Sequence, residues 1–110
     1  MTSYKEIKAD ALHAMLAQGN VLLIDVRKDE EVARGIIPGA VHIPLHLIPL
    51  KADELRSGEQ PLVFYCHAGM RSAQACAFMV NQGRDQLFNL QGGVLAWGKA
   101  GYPFEPKGHL

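Results

Sequence analysis

One short segment of the chain has residue types and spacing that predict covalent chemistry. A cysteine is followed five positions later by an arginine and then a serine, in the order Cys66-His67-Ala68-Gly69-Met70-Arg71-Ser72. The apolar run at residues 62–65 before it is typical of a buried strand. Residues 72–82 have a helical pattern, with Ser72 in the N-cap position and Gly83 as the stop. Cys66 is therefore predicted to lie at a strand end, facing a loop that leads into a helix.

Such a loop favours a thiolate over a thiol. The N–H groups of the loop and the positive end of the helix dipole attract an anion at one point. That environment lowers the pKa of a cysteine from its ordinary value of about 8.5. Gly69 permits a positive φ within the curve, and the planar cation of Arg71 can hold an oxyanion through two hydrogen bonds. These features favour a reactive Cys66 over an inert, buried cysteine, which is the commoner kind.

The rest of the chain alternates between strand and helix patterns. Apolar runs predict further strands at residues 3–8, 21–26, 41–43 and 86–89, and helical spacing predicts helices at residues 10–18, 29–34, 47–55 and 92–99. This alternation predicts an α/β fold, with a small central parallel sheet and helices on both faces. Ligands of such sheets bind beyond the carboxyl ends of the strands. Cys66 is predicted to lie at one of these ends.

Length and composition limit the classes to which the protein can belong. We expect a single domain over residues 1–110, because this length supports one core without a metal or a disulfide. With 11 basic and 11 acidic residues the formal net charge is zero, which gives no electrostatic support to a nucleic-acid or membrane partner. No signal-peptide pattern follows Met1, so we expect a cytoplasmic protein. Cys66 and Cys76 are not expected to form a disulfide.

Four motifs follow one another along nearly the whole chain. They are Ile24-Asp25-Val26-Arg27 with Glu31, Gly35-Ile36-Ile37-Pro38-Gly39-Ala40, the Cys66–Arg71 loop, and Leu90-Gln91-Gly92-Gly93 followed by Ala96-Trp97 and Gly101-Tyr102-Pro103. Each motif alone is weak, but together and in this order they resemble the rhodanese-like sulfurtransferases, the thiosulfate sulfurtransferase family. Many members have histidine in place of Ile36, and we expect packing to replace the hydrogen bond made there.

The resemblance implies a reaction and a set of site residues. The Cys66 thiolate would attack the outer sulfur of a donor such as thiosulfate, releasing sulfite and leaving a persulfide. Cyanide or a thiol would then accept that sulfur, in ping-pong covalent catalysis. Arg71 matches the sulfonate end of thiosulfate. The other expected substrate-binding positions belong to the same loop: His67, Ala68, Gly69, Met70 and Ser72. The reaction needs no basic residue, so a role for His67 in tuning the loop is optional, and no cofactor or metal is implied.

Two alternative functions stay open from the sequence. A cysteine phosphatase or an arsenate reductase also closes a cysteine loop with an arginine, but with five intervening residues rather than the four found here. The shorter loop makes a narrower ring of N–H groups, which suits one sulfur atom better than a tetrahedral phosphate. The second alternative is a sulfur-carrier module, whose loop would be identical. We therefore expect a small-molecule sulfur donor and acceptor as partners, or a protein that donates or accepts persulfide.

Two further motifs contain polar residues or glycines that we predict to be structural. Asp25 and Arg27 lie at a predicted strand end, where we expect an ion pair or a hydrogen bond to a neighbouring loop. Gly92 and Gly93 lack the Lys-Ser/Thr of a phosphate-binding loop. We expect these glycines to allow tight packing at the start of the last helix.

Overall fold

A computed structural model of the chain describes residues 3–107, so the predicted domain bounds of 1–110 extend beyond the described residues at both ends. Within this part the strands are β1 (Tyr4–Ile7), β2 (Leu22–Asp25), β3 (Val41–His42), β4 (Leu62–Tyr65) and β5 (Leu87–Leu90). They form one sheet in the order β1-β5-β4-β2-β3, and neighbouring strands are parallel. The predicted parallel α/β sheet is confirmed, and every strand end lies within one residue of its predicted position.

The α-helices between the strands are α1 (Ala9–Gln18), α2 (Asp29–Val32), α3 (Ala52–Ser57) and α4 (Met70–Asn81), and α5 (Gly93–Lys99) follows the last strand. Over residues 47–55, where Pro49 predicts a broken helix, the structure has a 3₁₀ helix, Leu45–Lys51, that continues into α3. Pro49 lies inside the 3₁₀ segment. Its ring lacks an N–H and clashes with the preceding turn of an α-helix, which explains why the α-helix begins only after it.

The start of α4 differs from the prediction that Ser72 is the N-cap. The helix begins at Met70, and Gly69, with a φ of +108°, is the N-cap. Because glycine reaches this left-handed conformation at little cost, the N-cap lies three residues earlier than predicted. Ser72 therefore lies in the first helical turn, where it is fully buried. The predicted stop is confirmed, since Gly83 has a φ of +85° directly after the C-cap, Gln82.

The hydrophobic core lies on both faces of the sheet, with β4 at its centre. All four residues of β4 are buried. Leu62 and Phe64 pack into a cluster with residues of α3 and α4, whereas Val63 and Tyr65 pack into a second cluster with residues of α1 and α5. Since successive strand residues point to opposite faces, a strand that is apolar throughout must be covered on both sides. This burial holds the end of β4, and with it Cys66, in one position.

A buried ion pair lies at the end of β2, where the sequence predicted one. The guanidinium of Arg27 donates to both carboxylate oxygens of Asp25, at 2.7–3.1 Å, and its Nη2 also donates to the carbonyl of Gly35 at 2.8 Å. The next residue, Ile36, is buried, as expected for a position that packs. Ion pair and hydrogen bond together fasten the Gly35–Ala40 segment to the carboxyl edge of the sheet.

Within residues 3–107 no helix combines the length and hydropathy needed to cross a bilayer.

Candidate active site

The thiol of Cys66 lies directly after β4 and against the first turn of α4, as the sequence predicted. Its Sγ accepts a hydrogen bond from the N–H of Gly69 at 3.1 Å. The N–H and the hydroxyl of Ser72 donate to the same sulfur, each at 3.4 Å. Cys66 is only 1% exposed. The sulfur is therefore buried and surrounded by hydrogen-bond donors. Only a narrow part of a substrate can reach it.

These hydrogen bonds decide the ionisation of Cys66. Burial by itself raises the pKa of the thiol, but hydrogen bonds from Ser72, Gly69 and Ala68 stabilise the thiolate, and the net pKa is lowered. Cys76 has the opposite environment, since burial, with a smaller effect of Glu6, raises the pKa of its thiol. Both cysteines are free and buried. Of the two, Cys66 alone has surroundings that favour a thiolate.

We expect Ser72→Ala to make Cys66 less reactive below its pKa. The substitution removes the hydroxyl hydrogen bond to the sulfur, so the pKa of Cys66 rises and the thiolate fraction at acidic pH falls. A hydrogen bond worth about 1 kcal/mol corresponds to roughly a fivefold slower alkylation by iodoacetamide there. Alkylation rates measured against pH, with the modified cysteine identified by mass spectrometry, provide the test. The exposed Ser57→Ala serves as control, and an unchanged pH profile for Ser72→Ala contradicts the role of the hydroxyl.

The start of α5 packs against the cysteine loop and donates hydrogen bonds to its backbone. The N–H of Val94 donates to the carbonyl of Cys66 at 3.0 Å, and that of Leu95 donates to the carbonyl of His67 at 3.3 Å. A Cβ on Gly93 would lie 2.4 and 2.5 Å from these two carbonyl oxygens. The prediction that this glycine allows tight packing is therefore confirmed. The loop and the helix are in contact through their backbones, which leaves no room for a side chain between them.

Asn89, in β5, is a supporting residue that sequence reasoning missed. Its Nδ2 donates to the carbonyl of Gly69 at 3.1 Å and to both carboxylate oxygens of Glu6, at 2.9 and 3.1 Å. Asn89 is buried. Its signal in the sequence was a single amide inside an otherwise apolar strand, at a position where burial requires partners.

Arg71 has a partner that the sequence analysis did not assign to it. Its Nη1 and Nη2 donate to the two carboxylate oxygens of Glu31, at 2.7 and 2.8 Å. This hydrogen bonding with Arg71 lowers the pKa of Glu31 to about 2. The side chain of Arg71 is 31% exposed and that of Glu31 is 28% exposed. The paired fork that was expected to wait for an oxyanion is thus already occupied by a carboxylate of α2.

The other loop residues form the surface around the sulfur. His67 and Ala68 are exposed, and Met70 is 78% exposed. Two cavities adjoin the loop, and Arg71 lines both of them. One is largely apolar and has a volume of about 620 Å³. The second cavity, about 370 Å³, is lined mainly by charged side chains and includes His67 in its lining. Within the described residues, no group of His, Cys, Asp and Glu side chains is arranged to hold a metal ion.

The fold and the loop place this chain among α/β domains with a cysteine loop at the carboxyl edge of a parallel sheet. The model of the rhodanese-like domain matches residues 8–100, and the chain belongs to that family.

Similar proteins extend over almost the whole chain. A sulfurtransferase from Allochromatium vinosum is 42% identical over 99 residues, covering 89% of this chain and 92% of the relative. The thiosulfate sulfurtransferase GlpE of Stutzerimonas stutzeri is 35% identical, covering 88% and 87%. A solved rhodanese-like domain protein from Staphylococcus aureus has 36% identity and a TM-score of 0.82, covering 94% and 99%. The predicted family is confirmed.

Proposed function

We propose that the protein is a sulfurtransferase that moves a sulfane sulfur from thiosulfate or a persulfide donor to a thiophilic acceptor. The observation that carries this proposal is the convergence of three hydrogen-bond donors, from Gly69 and Ser72, on the Sγ of Cys66. They stabilise a thiolate without a neighbouring base. The names of the A. vinosum and S. stutzeri relatives support the same class of reaction.

The reaction runs in two displacements at the outer sulfur. The Cys66 thiolate attacks the outer sulfur of thiosulfate, the S–S bond breaks, and its electron pair leaves with sulfite. The persulfide on Cys66 carries its charge on the terminal sulfur, where the N–H groups of the loop stabilise it as they stabilise the thiolate. Cyanide or a thiol then attacks that terminal sulfur, and the electron pair of the breaking bond returns to Cys66 as a thiolate.

Thiocyanate formation from thiosulfate and cyanide tests the proposal directly. A second reaction, in which a cysteine desulfurase supplies the persulfide, distinguishes an enzyme from a sulfur-carrier module. A carrier role has one structural observation in its favour: Met70 and Leu95 flank the loop and are 78% and 56% exposed, so a protein surface can cover them. Turnover with both donors supports an enzyme, and single-turnover loading from the desulfurase alone supports the carrier.

Within this function we propose that Arg71 binds the charged end of the donor. A guanidinium has five N–H donors, and Glu31 engages its two terminal nitrogens from one side. Arg71→Ala removes a charge-assisted hydrogen bond worth roughly 1.5–3 kcal/mol, and it also leaves the carboxylate of Glu31 without its partner. We expect the KM for thiosulfate to rise at least about tenfold. Arg71→Lys should recover part of this, since an ammonium offers no paired fork.

The control for this prediction is Arg56→Ala, which removes the same charge from α3. Arg56 pairs with Asp53 on the same helix. The KM for thiosulfate of this variant should equal that of the wild type. An unchanged KM in Arg71→Ala would show that the arginine does not bind the donor.

A further inference from the structure

Glu31 takes two of the five N–H groups of Arg71 and offsets its positive charge at the rim of the cysteine loop. The bidentate pair joins Nη1 and Nη2 to both carboxylate oxygens at 2.7 and 2.8 Å. The low pKa of Glu31 keeps this carboxylate ionised at any pH used for an assay. The two side chains therefore add no net charge to the rim of the cysteine loop.

The other arginines near the loop do not restore a strong anion site. Arg27 is buried in its pair with Asp25, 2.7 Å away. Arg34, which lines the second cavity, is exposed to solvent, where salt screens its charge. Thiosulfate carries two negative charges, and a donor that binds Arg71 also comes close to Glu31, since the two side chains are only 2.7 Å apart. The rim therefore offers little net positive charge to attract a small dianion, and Glu31 repels one at close range.

The apolar cavity on the other side of Arg71 gives a second, independent observation. It lies over the carboxyl ends of β2 and β3, and its apolar lining consists of Val26, Pro44, Leu45 and Leu47. Its remaining charged residues are Lys28, Asp29 and Glu30, which sum to one negative charge. A volume of about 620 Å³ is typical of sites for organic ligands. An inorganic donor such as thiosulfate would leave most of it empty.

These observations rest on the proposed sulfurtransferase function and refine its substrate. We propose that Glu31 is a specificity-determining residue, and that the donor is an organic sulfane-sulfur compound with an apolar body in this cavity and at most one negative charge. An organic persulfide, R–S–S⁻, belongs to this class. The Cys66 thiolate attacks its outer sulfur, the S–S bond breaks, and the electron pair leaves on R–S⁻. One persulfide and one thiolate stand on each side of the equation, so no oxidant or reductant is consumed.

The role of Glu31 is tested by Glu31→Gln, with three stable donors as probes. These are thiosulfate, a dianion, and the monoanions methanethiosulfonate and benzenethiosulfonate. In the capping box of α2, Glu31 accepts a hydrogen bond from the N–H of Lys28 at 3.0 Å. Glutamine removes the negative charge but keeps an oxygen that can accept this hydrogen bond. We expect kcat/KM to rise about tenfold for thiosulfate and less than threefold for benzenethiosulfonate. Glu59→Gln, an exposed position before the amino end of β4, should leave both values unchanged.

The cavity is tested by Leu47→Ala, with Leu50→Ala as the matched control. Both leucines lie on the same 3₁₀ helix, but Leu47 lines the cavity, whereas Leu50 is 78% exposed. Removing apolar surface from the cavity should lower the ratio of kcat/KM for benzenethiosulfonate to that for methanethiosulfonate about three- to tenfold. Leu50→Ala should keep the wild-type ratio. Equal ratios in both variants would show that the donor's body lies elsewhere, which overturns the proposal.

Equal effects of Glu31→Gln and Glu59→Gln on thiosulfate would overturn the specificity role while leaving the proposed function intact. If neither thiosulfate nor benzenethiosulfonate leaves a sulfur on Cys66 of the wild type, the proposed function itself fails. Should Glu31→Gln not fold, the wild type decides through its response to potassium chloride. A rim on which Glu31 offsets Arg71 predicts a kcat/KM for thiosulfate that is flat with ionic strength. A steep fall would show that Glu31 does not offset the charge of Arg71, which overturns the specificity role.

Discussion

We expect Cys66→Ser to take up no sulfur from thiosulfate, and Cys76→Ser to take up one sulfur atom, as we expect of the wild type. This is the largest effect that we expect, because the serine hydroxyl is not ionised at neutral pH and cannot form a persulfide. Hydrogen bonds from Gly69 and Ser72 converge on Cys66. The sulfur of Cys76 instead donates to the carbonyl of Phe88 at 3.4 Å and has a raised pKa, mainly through burial.

Intact-mass measurement after incubation with thiosulfate shows whether the wild type, Cys66→Ser and Cys76→Ser have each gained a sulfur atom. The gain of one sulfur should disappear on reduction with a thiol, which distinguishes a persulfide from other sulfur adducts. A thermal melt of each variant checks that the fold is retained. A persulfide that survives in Cys66→Ser would move the reaction to another residue and would refute the proposed function as written.

Gly93→Ala should cost both activity and stability. Its Cβ would lie 2.4 Å from the carbonyl oxygen of Cys66 and 2.5 Å from that of His67, and the φ of Gly93 is +54°. Both neighbours are backbone atoms and cannot rotate away as a side chain does. Strain and overpacking together should lower the free energy of unfolding by about 3 kcal/mol. The melting temperature should fall by roughly 10 °C, and sulfur transfer at least tenfold, since the loop must shift.

Gly19→Ala provides the matched control for this glycine. Gly19 also has a positive φ, +80°, but no atom lies within 4 Å of the Cβ that would be added. We expect a loss of about 1 kcal/mol from the left-handed backbone alone, with sulfur transfer unchanged. Equal activity losses in the two variants would mean that contact with the cysteine loop is not what makes Gly93 necessary.

The sequence alone predicted the order of strands and helices and the position of the candidate nucleophile, Cys66. The four apolar residues of β4 predicted a central buried strand, because a strand without polar positions must be covered on both faces. Such a strand followed by a glycine-containing loop and a helix places Cys66 at the carboxyl edge of the sheet. These are local signals, since each depends on residues that are neighbours along the chain.

Local signals also misplaced one contact of the site. Ser72 was predicted as the N-cap of α4, on the preference of serine for that position, but the structure has Gly69 there. The hydroxyl of Ser72 then contacts the sulfur of Cys66 rather than a backbone N–H. N-cap propensity does not separate the two, because serine and glycine are both good caps. In the structure, the loop that packs against Gly93 of α5 turns into α4 at Gly69.

Only the tertiary structure decided the electrostatics of the rim. Glu31 and Arg71 are 40 residues apart in sequence and meet because α2 and α4 follow neighbouring strands, β2 and β4. Asn89 reaches the loop from β5 in the same way. The sequence predicted a free cation at Arg71, because the charge of a residue is visible in the sequence and its partner is not. Pairing depends on strand order, which brings distant residues to one edge of the sheet.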